Sequence, residues 1–326
     1  MKVAEVPLSR VDGIAERAEY RLKESGITSA FELASSLPDE VMQVIGGDMQ
    51  SAALLISNAR ACLAKRGIML EDFVKASDMA RRKNDIISCS TGSRAVDNLL
   101  GGGIETKAVT EFFGAFGSGK SQLCHTLSVL CHLPIEKGGM DGGAIYIDTE
   151  GTFRVNRLSE IAKARGIDEG FVLDRVLYSR TYDVQHLIAV VKAIGEQIRK
   201  NSVRLIVIDS VINLFRSEYI GRETLAERQQ KLNTLMHRLH NLAEVYNVAV
   251  VITNQVQAVP NAFFGDPNRP AGGHVLAHGS TYRIYLRKSG EDRIAAIVDS
   301  PSHPYSEAKF TINSSGVCDI IPEAHE

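Results

Sequence analysis

Five short apolar runs, AVTEFF, GAIYIDTE, VLYSR, VRLIVIDS and VAVVITNQ, fall between residues 108 and 255, with helical stretches between most of them. Runs this short and this apolar are strands covered on both faces, and strands alternating with helices form a parallel sheet sandwiched between helical layers. The last segment differs. TYRIYLRKS, DRIAAIVDS and KFTINSS are closely spaced and joined by turn residues, so antiparallel strands are expected at one edge of the sheet. Residues 1–64 instead carry apolar positions such as Ala18, Leu22, Phe31, Leu33, Val41 and Leu54 between glycine-containing turns, with no strand signal, which predicts a small all-α domain. Residues 65–85 mix charges with few apolar side chains and read as a linker, leaving 86–326 for the α/β core.

A chain of 326 residues suits a large domain plus a smaller one. Its 37 Lys+Arg against 39 Asp+Glu give a formal charge of -2, so any nucleic acid must be held by local patches and not by bulk charge. No apolar run approaches a membrane span and the start MKVAEVPLSR lacks a signal-peptide core, so an intracellular protein with no membrane partner is expected. Cys62, Cys89, Cys124, Cys131 and Cys318 are scattered and odd in number, which fits buried thiols and neither a disulfide framework nor a zinc site.

Between the first apolar run and the helical-looking LCHTLSVLCHL lies GAFGSGKSQ, residues 114–122. It fits G-x-x-x-x-G-K-[ST] at Gly114, Gly119, Lys120 and Ser121. In such a loop the glycines, with Ala115, Phe116, Gly117, Ser118 and Gln122, turn backbone N–H groups toward a phosphate. The lysine reaches the β and γ oxygens and the serine hydroxyl meets Mg²⁺. A glycine-rich turn is the plain alternative, but the strand–loop–helix setting favours ATP with Mg²⁺. The chemistry needs a second acid for the metal, supplied by Asp209 at the end of VRLIVID, although an acid there also caps helices. For orienting water, Asp148 and Glu150 end the second run, sent the same way by strand alternation, so that one faces the γ-phosphate and the other supports it, with Glu150 the favoured base. Asn254 and Gln255 end a third strand and carry amides able to report the nucleotide state. Two segments then stand out. Residues 258–274, AVPNAFFGDPNRPAGGH, have no helix or strand period. FRSEYIGRETLAERQQ, residues 215–230, balances Arg216, Arg222 and Arg228 with glutamates and by charge alone is an ordinary solvated helix start.

TGSRAVDNLLGGGIET, GAFGSGKSQ, YIDTEGTFR, LIVIDS, FRSEYIGRETLAERQQKL, VITNQVQA, FFGDPNRPAGGHVLAH and TYRIYLRKS, in this order over about residues 86–320, resemble the RecA-family recombinases, specifically the archaeal RadA branch with its eukaryotic strand-exchange counterparts. The resemblance implies a RecA-like P-loop ATPase core, and a filament-forming ATPase that pairs single-stranded DNA with homologous duplex in an archaeal cytoplasm, with recombination mediators as further partners. It implies that Glu150 activates water while Gln255 and His278 sense the γ-phosphate. It sets Arg157 against adenine, although Val155-Asn156 stand where the family has Pro-Glu. Arg216, Arg222 and Arg228 match the first DNA-binding loop. Phe263, Phe264, Arg269, Gly272 and Gly273 fall in the second. Phe73 and Ala76, in FVKA, resemble the F-x-x-A segment that joins subunits. DSPSHPYSEA resembles the cap over a neighbour's ATP, with Pro304 in it and Tyr305 where the family commonly has an acid. VDGIAERAEYRLKESG resembles a helix-hairpin-helix, with Ala15 replacing its second glycine. An ATP-binding mediator without strand exchange and a RecA-fold helicase are the rival readings.

Overall fold

The computed structural model describes residues 6–81, 85–258 and 268–320. The N-terminal helices are α1 (Glu16–Glu24), α2 (Ala30–Ser35), α3 (Pro38–Ile45) and α4 (Met49–Ala64). Their ends are set locally. Pro38 opens α3 where its missing N–H costs nothing, Gly46 closes it at φ +70°, and the Asp48 carboxylate accepts the Ser51 N–H at 2.7 Å to start α4. Leu22, Phe31, Leu33, Val41 and Leu63 are fully buried inside this unit. A further short helix, α5 (Ala76–Arg81), lies in the segment read as a linker.

The core begins with β1 (Ser88–Cys89), α6 (Arg94–Leu99) and β2 (Ile104–Glu105), the two strands pairing antiparallel. It continues through β3 (Val109–Gly114), α7 (Lys120–Leu130), β4 (Gly143–Asp148), α8 (Val155–Ala164), α9 (Glu169–Leu173), β5 (Val176–Arg180), α10 (Val184–Asn201) and β6 (Val203–Asp209). Then come α11 (Asn213–Glu218), α12 (Leu225–Tyr246), β7 (Ala249–Ala258), β8 (Asn268–Pro270), α13 (Gly273–His278), β9 (Tyr282–Ser289), β10 (Asp292–Asp299), β11 (Glu307–Asn313) and β12 (Gly316–Cys318). The main sheet runs β12-β11-β10-β9-β3-β7-β6-β4-β5, with β8 paired off this path onto β7. The architecture is the expected RecA-like α/β type, a mainly parallel sheet with antiparallel strands at its C-terminal edge. One strand differs from expectation. β9, TYRIYLRKS without its first residue, lies parallel to β3, so the antiparallel addition starts one strand later, at β10. The helix α13 carries the chain back across the sheet before β9, which is what allows a parallel partner.

Both sheet faces are covered, which is why the strands read as continuous apolar runs. Ile145, Ile147, Ile206, Ile208, Val250 and Ile252 pack into one core, while Ala144, Tyr146, Leu205, Val207, Ala249 and Val251 pack into the other. The first core runs on without a break into the N-terminal helices. Phe31 stacks on Tyr246 of α12 with ring centroids 5.6 Å apart, Glu32 pairs with Arg199 of α10, and Glu40 pairs with both Arg238 and Lys192. Desolvation pulls the Arg238 pKa down to about 10 against the charge of Asp39, and Glu40 is the carboxylate in direct contact with the guanidinium. Glu40→Leu is therefore expected to lower unfolding free energy by about 3 kcal/mol in denaturant titration, since it strands a buried cation. A loss within the ~0–1 kcal/mol of an exposed pair would contradict this docking. Among the described residues no helix is long and apolar enough to cross a membrane.

Candidate nucleotide site and DNA loops

The loop between β3 and α7 bends round its own backbone. Gly119 sits at φ +104°, a conformation L side chains rarely adopt, and a Cβ on Gly114 would stand 2.2 Å from the Leu286 carbonyl oxygen of β9. These two glycines are fixed by geometry, one by a left-handed turn and one by close approach of a neighbouring strand. The Lys120 ammonium donates to the carbonyls of Gly114 at 2.8 Å and Ala115 at 3.0 Å. Burial lowers its pKa, and the charges of Asp209 and Glu150 pull the other way. The first turn of α7, an eleven-residue helix, points its free amides into a cleft of about 640 Å³. That size lies in the ~300–1,000 Å³ range of small-molecule sites. The cleft is lined by residues 114–117 and 119–122. Ser118 is buried beneath the loop, its hydroxyl without a partner among the described residues, and Phe116 stands fully exposed at the tip.

Adjacent parallel strands bring the acids together, with Asp148 directly across from Asp209 in the β4–β6 register. Asp209 lines the cleft and is held from below. Tyr146 donates its hydroxyl to one carboxylate oxygen at 2.8 Å and Thr253 donates to the other at 2.5 Å. Burial, and then the Asp209 charge, push the Tyr146 pKa well up, so it remains a donor. Asp148 has a different task. Its Oδ1 accepts the N–H groups of Glu150 (2.9 Å), Gly151 (2.6 Å) and Thr152 (3.3 Å), and its Oδ2 accepts that of Phe153 (3.2 Å). Burial raises the Asp148 pKa, but these amides outweigh it and hold the carboxyl below its usual range. The carboxylate thus shapes the loop that carries Glu150.

Glu150 also lines the cleft and is held on one oxygen, Oε1. Ser210 donates to it at 2.7 Å and the Gln255 amide at 2.9 Å. The other end of that amide, Gln255 Oε1, accepts from Arg216 Nη1 at 3.4 Å. A continuous chain of side chains therefore leads from the acid in the cleft to the first loop. Ser121 and Asp209 both line the cleft, so a serine hydroxyl and a carboxylate are oxygen donors that a Mg²⁺ would meet there. Such a pair fits Mg²⁺, which keeps most of its shell for water and phosphate.

The remaining sequence candidates scatter. Arg216 lies on α11 and Arg228 on α12, with Arg222 exposed between them. Phe263 and Phe264 lie outside the described residues, and Arg269 is described only as part of β8. Asn254 ties the return of the second loop to the core. It donates to the Ala271 carbonyl and to buried Glu111, each at 2.7 Å, and Glu111 pairs with Arg283 at 2.6 Å. Gly272 and Gly273 follow at φ +85° and +60° and open α13. His278 ends that helix, exposed, with its ring stacked 5.9 Å from His274, and it does not line the cleft. Arg157 flanks the cleft beside Gln122, donating to Gln122 Oε1 at 2.8 Å and to the Asn313 carbonyl at 2.5 Å. Pro304 lies beyond the end of β10, at the sheet edge opposite the phosphate loop, because β10 runs antiparallel to β9. It cannot reach its own chain's cleft. Phe73 is 95% exposed and Ala76 heads α5. Ala15 caps α1 at φ -74°, an ordinary extended geometry that asks for no glycine.

Sequence reading missed Ser210, Thr152, Arg293 and Ile312, all in or at this cleft. Ser210 had a signal, since it directly follows Asp209 on a strand adjacent to the one leading to Glu150. A family model described as Rad51 matches residues 81–320. A DNA repair and recombination protein RadA of Cenarchaeum symbiosum (strain A) is 45% identical over 320 residues, covering 98% of this chain and 80% of that relative. A DNA repair and recombination protein RadA of Aeropyrum pernix is 44% identical over 313 residues, covering 96% of each chain. Matched over most of its length by that model and over nearly all of it by these relatives, the chain belongs to the Rad51 family of RecA-type recombinases.

Proposed function

We propose that the chain hydrolyses ATP in this cleft in response to single-stranded DNA and uses the ATP-bound state to pair that strand with homologous duplex during DNA repair. Recombinase function in repair accords with the family and with the printed names of the relatives. The observation that carries the finer reading is the chain Glu150–Gln255–Arg216, because it joins a general base to a loop arginine through one amide.

In this reading the loop amides and Lys120 take the phosphates, exchanging the Lys120 contacts to Gly114 and Ala115 for oxygens of the nucleotide. Mg²⁺ at Ser121 and Asp209 would supply charge neutralisation of the triphosphate. Glu150 accepts the proton of the attacking water, and Ser210 keeps its carboxylate oriented. Gln255 exchanges its hold on Glu150 for the γ-phosphate when ATP is bound. Arg216, drawn onto a DNA phosphate, releases the far end of the same amide. DNA occupancy and base availability are then linked. Arg222, Arg228 and the loop 258–274 hold the strand mainly by its phosphates, so sequence is read by base pairing. Subunits join through Phe73 and Ala76, which brings Pro304 of one copy over the nucleotide of the next. The position of Pro304 at the far sheet edge supports this, since only a second copy brings it near a cleft.

Gln255→Ala tests the linkage. Single-stranded DNA stimulation of phosphate release is expected to fall on the order of tenfold, the size of a modest coupling between sites. Stimulation equal to that of the unmodified chain would remove Gln255 from the path.

A further inference from the structure

The cleft has a wall that the phosphate-loop pattern does not describe. Arg293, the second residue of β10, stands across from Lys288 of β9 and Phe310 of β11 and lines the cleft together with Ile312. A Cβ built on Gly119 would lie 2.8 Å from Ile312 Cδ1 and 3.9 Å from Arg293 Cγ. Both side chains therefore rest against the first turn of α7, where the phosphate-binding amides are. Arg293 is incompletely satisfied. Its Nη1 donates to the carbonyls of Glu291 at 2.6 Å and Asp292 at 2.9 Å, whereas its Nε is buried with no partner among the described residues. Buried N–H groups of a guanidinium are rarely left unpaired, and an anionic oxygen is the acceptor that suits them best.

The neighbours bear on which part of a nucleotide this is. Ile312 adjoins Asn313, whose carbonyl takes Arg157 Nη2, and Arg157 Nε holds Gln122. Arg293 thus shares its end of the cleft with Gln122 and Arg157, while Glu150, Thr152 and Gln255 line the rest. Charge points the same way. Lys120 has the carboxylates of Asp209 and Glu150 as charged neighbours, and Lys288 Nζ lies against Gly117, so a triphosphate gains from a further cation beside the first turn of α7.

We propose that Arg293 is a nucleotide-binding residue that donates to the portion common to ATP and ADP, at the α-phosphate or the ribose next to it. The inference rests on reading the cleft as the ATP site. It assigns β10, an added antiparallel strand, a direct part in binding.

The test uses the full chain and calorimetric titration with ADP and with a non-hydrolysable ATP analogue. Arg293→Met is expected to raise both dissociation constants by the same factor, about tenfold or more for a lost charge-assisted contact. Arg293→Lys should recover part of the loss, and an unchanged melting temperature would show that both variants fold. Wild-type ADP affinity in Arg293→Met overturns the inference, and a loss confined to the triphosphate analogue overturns its placement. If the unmodified chain binds neither nucleotide, the ATP reading of the cleft falls and this inference with it.

Discussion

Glu150→Gln is expected to cut ATP turnover by about 10²–10⁴-fold, the contribution of a positioned general base, while ATP still binds. The substitution keeps shape and volume, so Ser210 and Gln255 retain an oxygen to donate to. The phosphate contacts come from the loop of residues 114–122 and are untouched. Lys120→Ala makes the contrast, because it removes a cation from the phosphates themselves and is expected to abolish turnover with weakened binding. Phosphate release and nucleotide titration on the two variants separate these effects. Turnover in Glu150→Gln within a few-fold of the unmodified chain would place the base elsewhere.

Phe73→Glu is expected to reduce the assembly to single chains or short oligomers without altering the fold. Phe73 is 95% exposed in the chain, so its removal takes nothing from the folded subunit. In a neighbour's pocket it would be the aromatic anchor of the contact, and such anchors commonly carry about 2 kcal/mol or more each. A charge buried in that pocket adds a desolvation cost on top. Light scattering with melting curves reads both parts, and an assembly of unchanged mass would refute the joining role of the FVKA segment.

The parallel core was legible because both sheet faces are covered. Ile145 and Tyr146 point to opposite cores yet are equally buried, so the strand reads as one apolar run. The phosphate loop was legible because Gly114 and Gly119 answer to local geometry that few other residues satisfy. What was hidden depends on contacts far apart in the chain. The parallel placement of β9 follows from where α13 returns the chain, which the pattern TYRIYLRKS does not encode. Arg293 reaches the cleft only because β10 lies two strands from β3, and its local sequence, DRIAAIVD, reads as an ordinary edge strand. The docking of Glu40 on Arg238 and Lys192 was equally invisible, since each charge looks like a solvated helix residue in its own segment. Asp148 and Glu150 were read as a pair set by strand alternation. The chain has left β4 before Glu150, and the amides gathered by Asp148 decide where the second acid points.

The central claim is most directly tested by joint-molecule formation between a labelled single strand and homologous supercoiled duplex, with and without ATP and Mg²⁺, beside a non-homologous duplex. The account predicts product only with the homologous duplex and only when ATP and Mg²⁺ are present. No product, while single-stranded DNA still stimulates ATP hydrolysis, would contradict it and make this chain an ATP- and DNA-binding accessory protein.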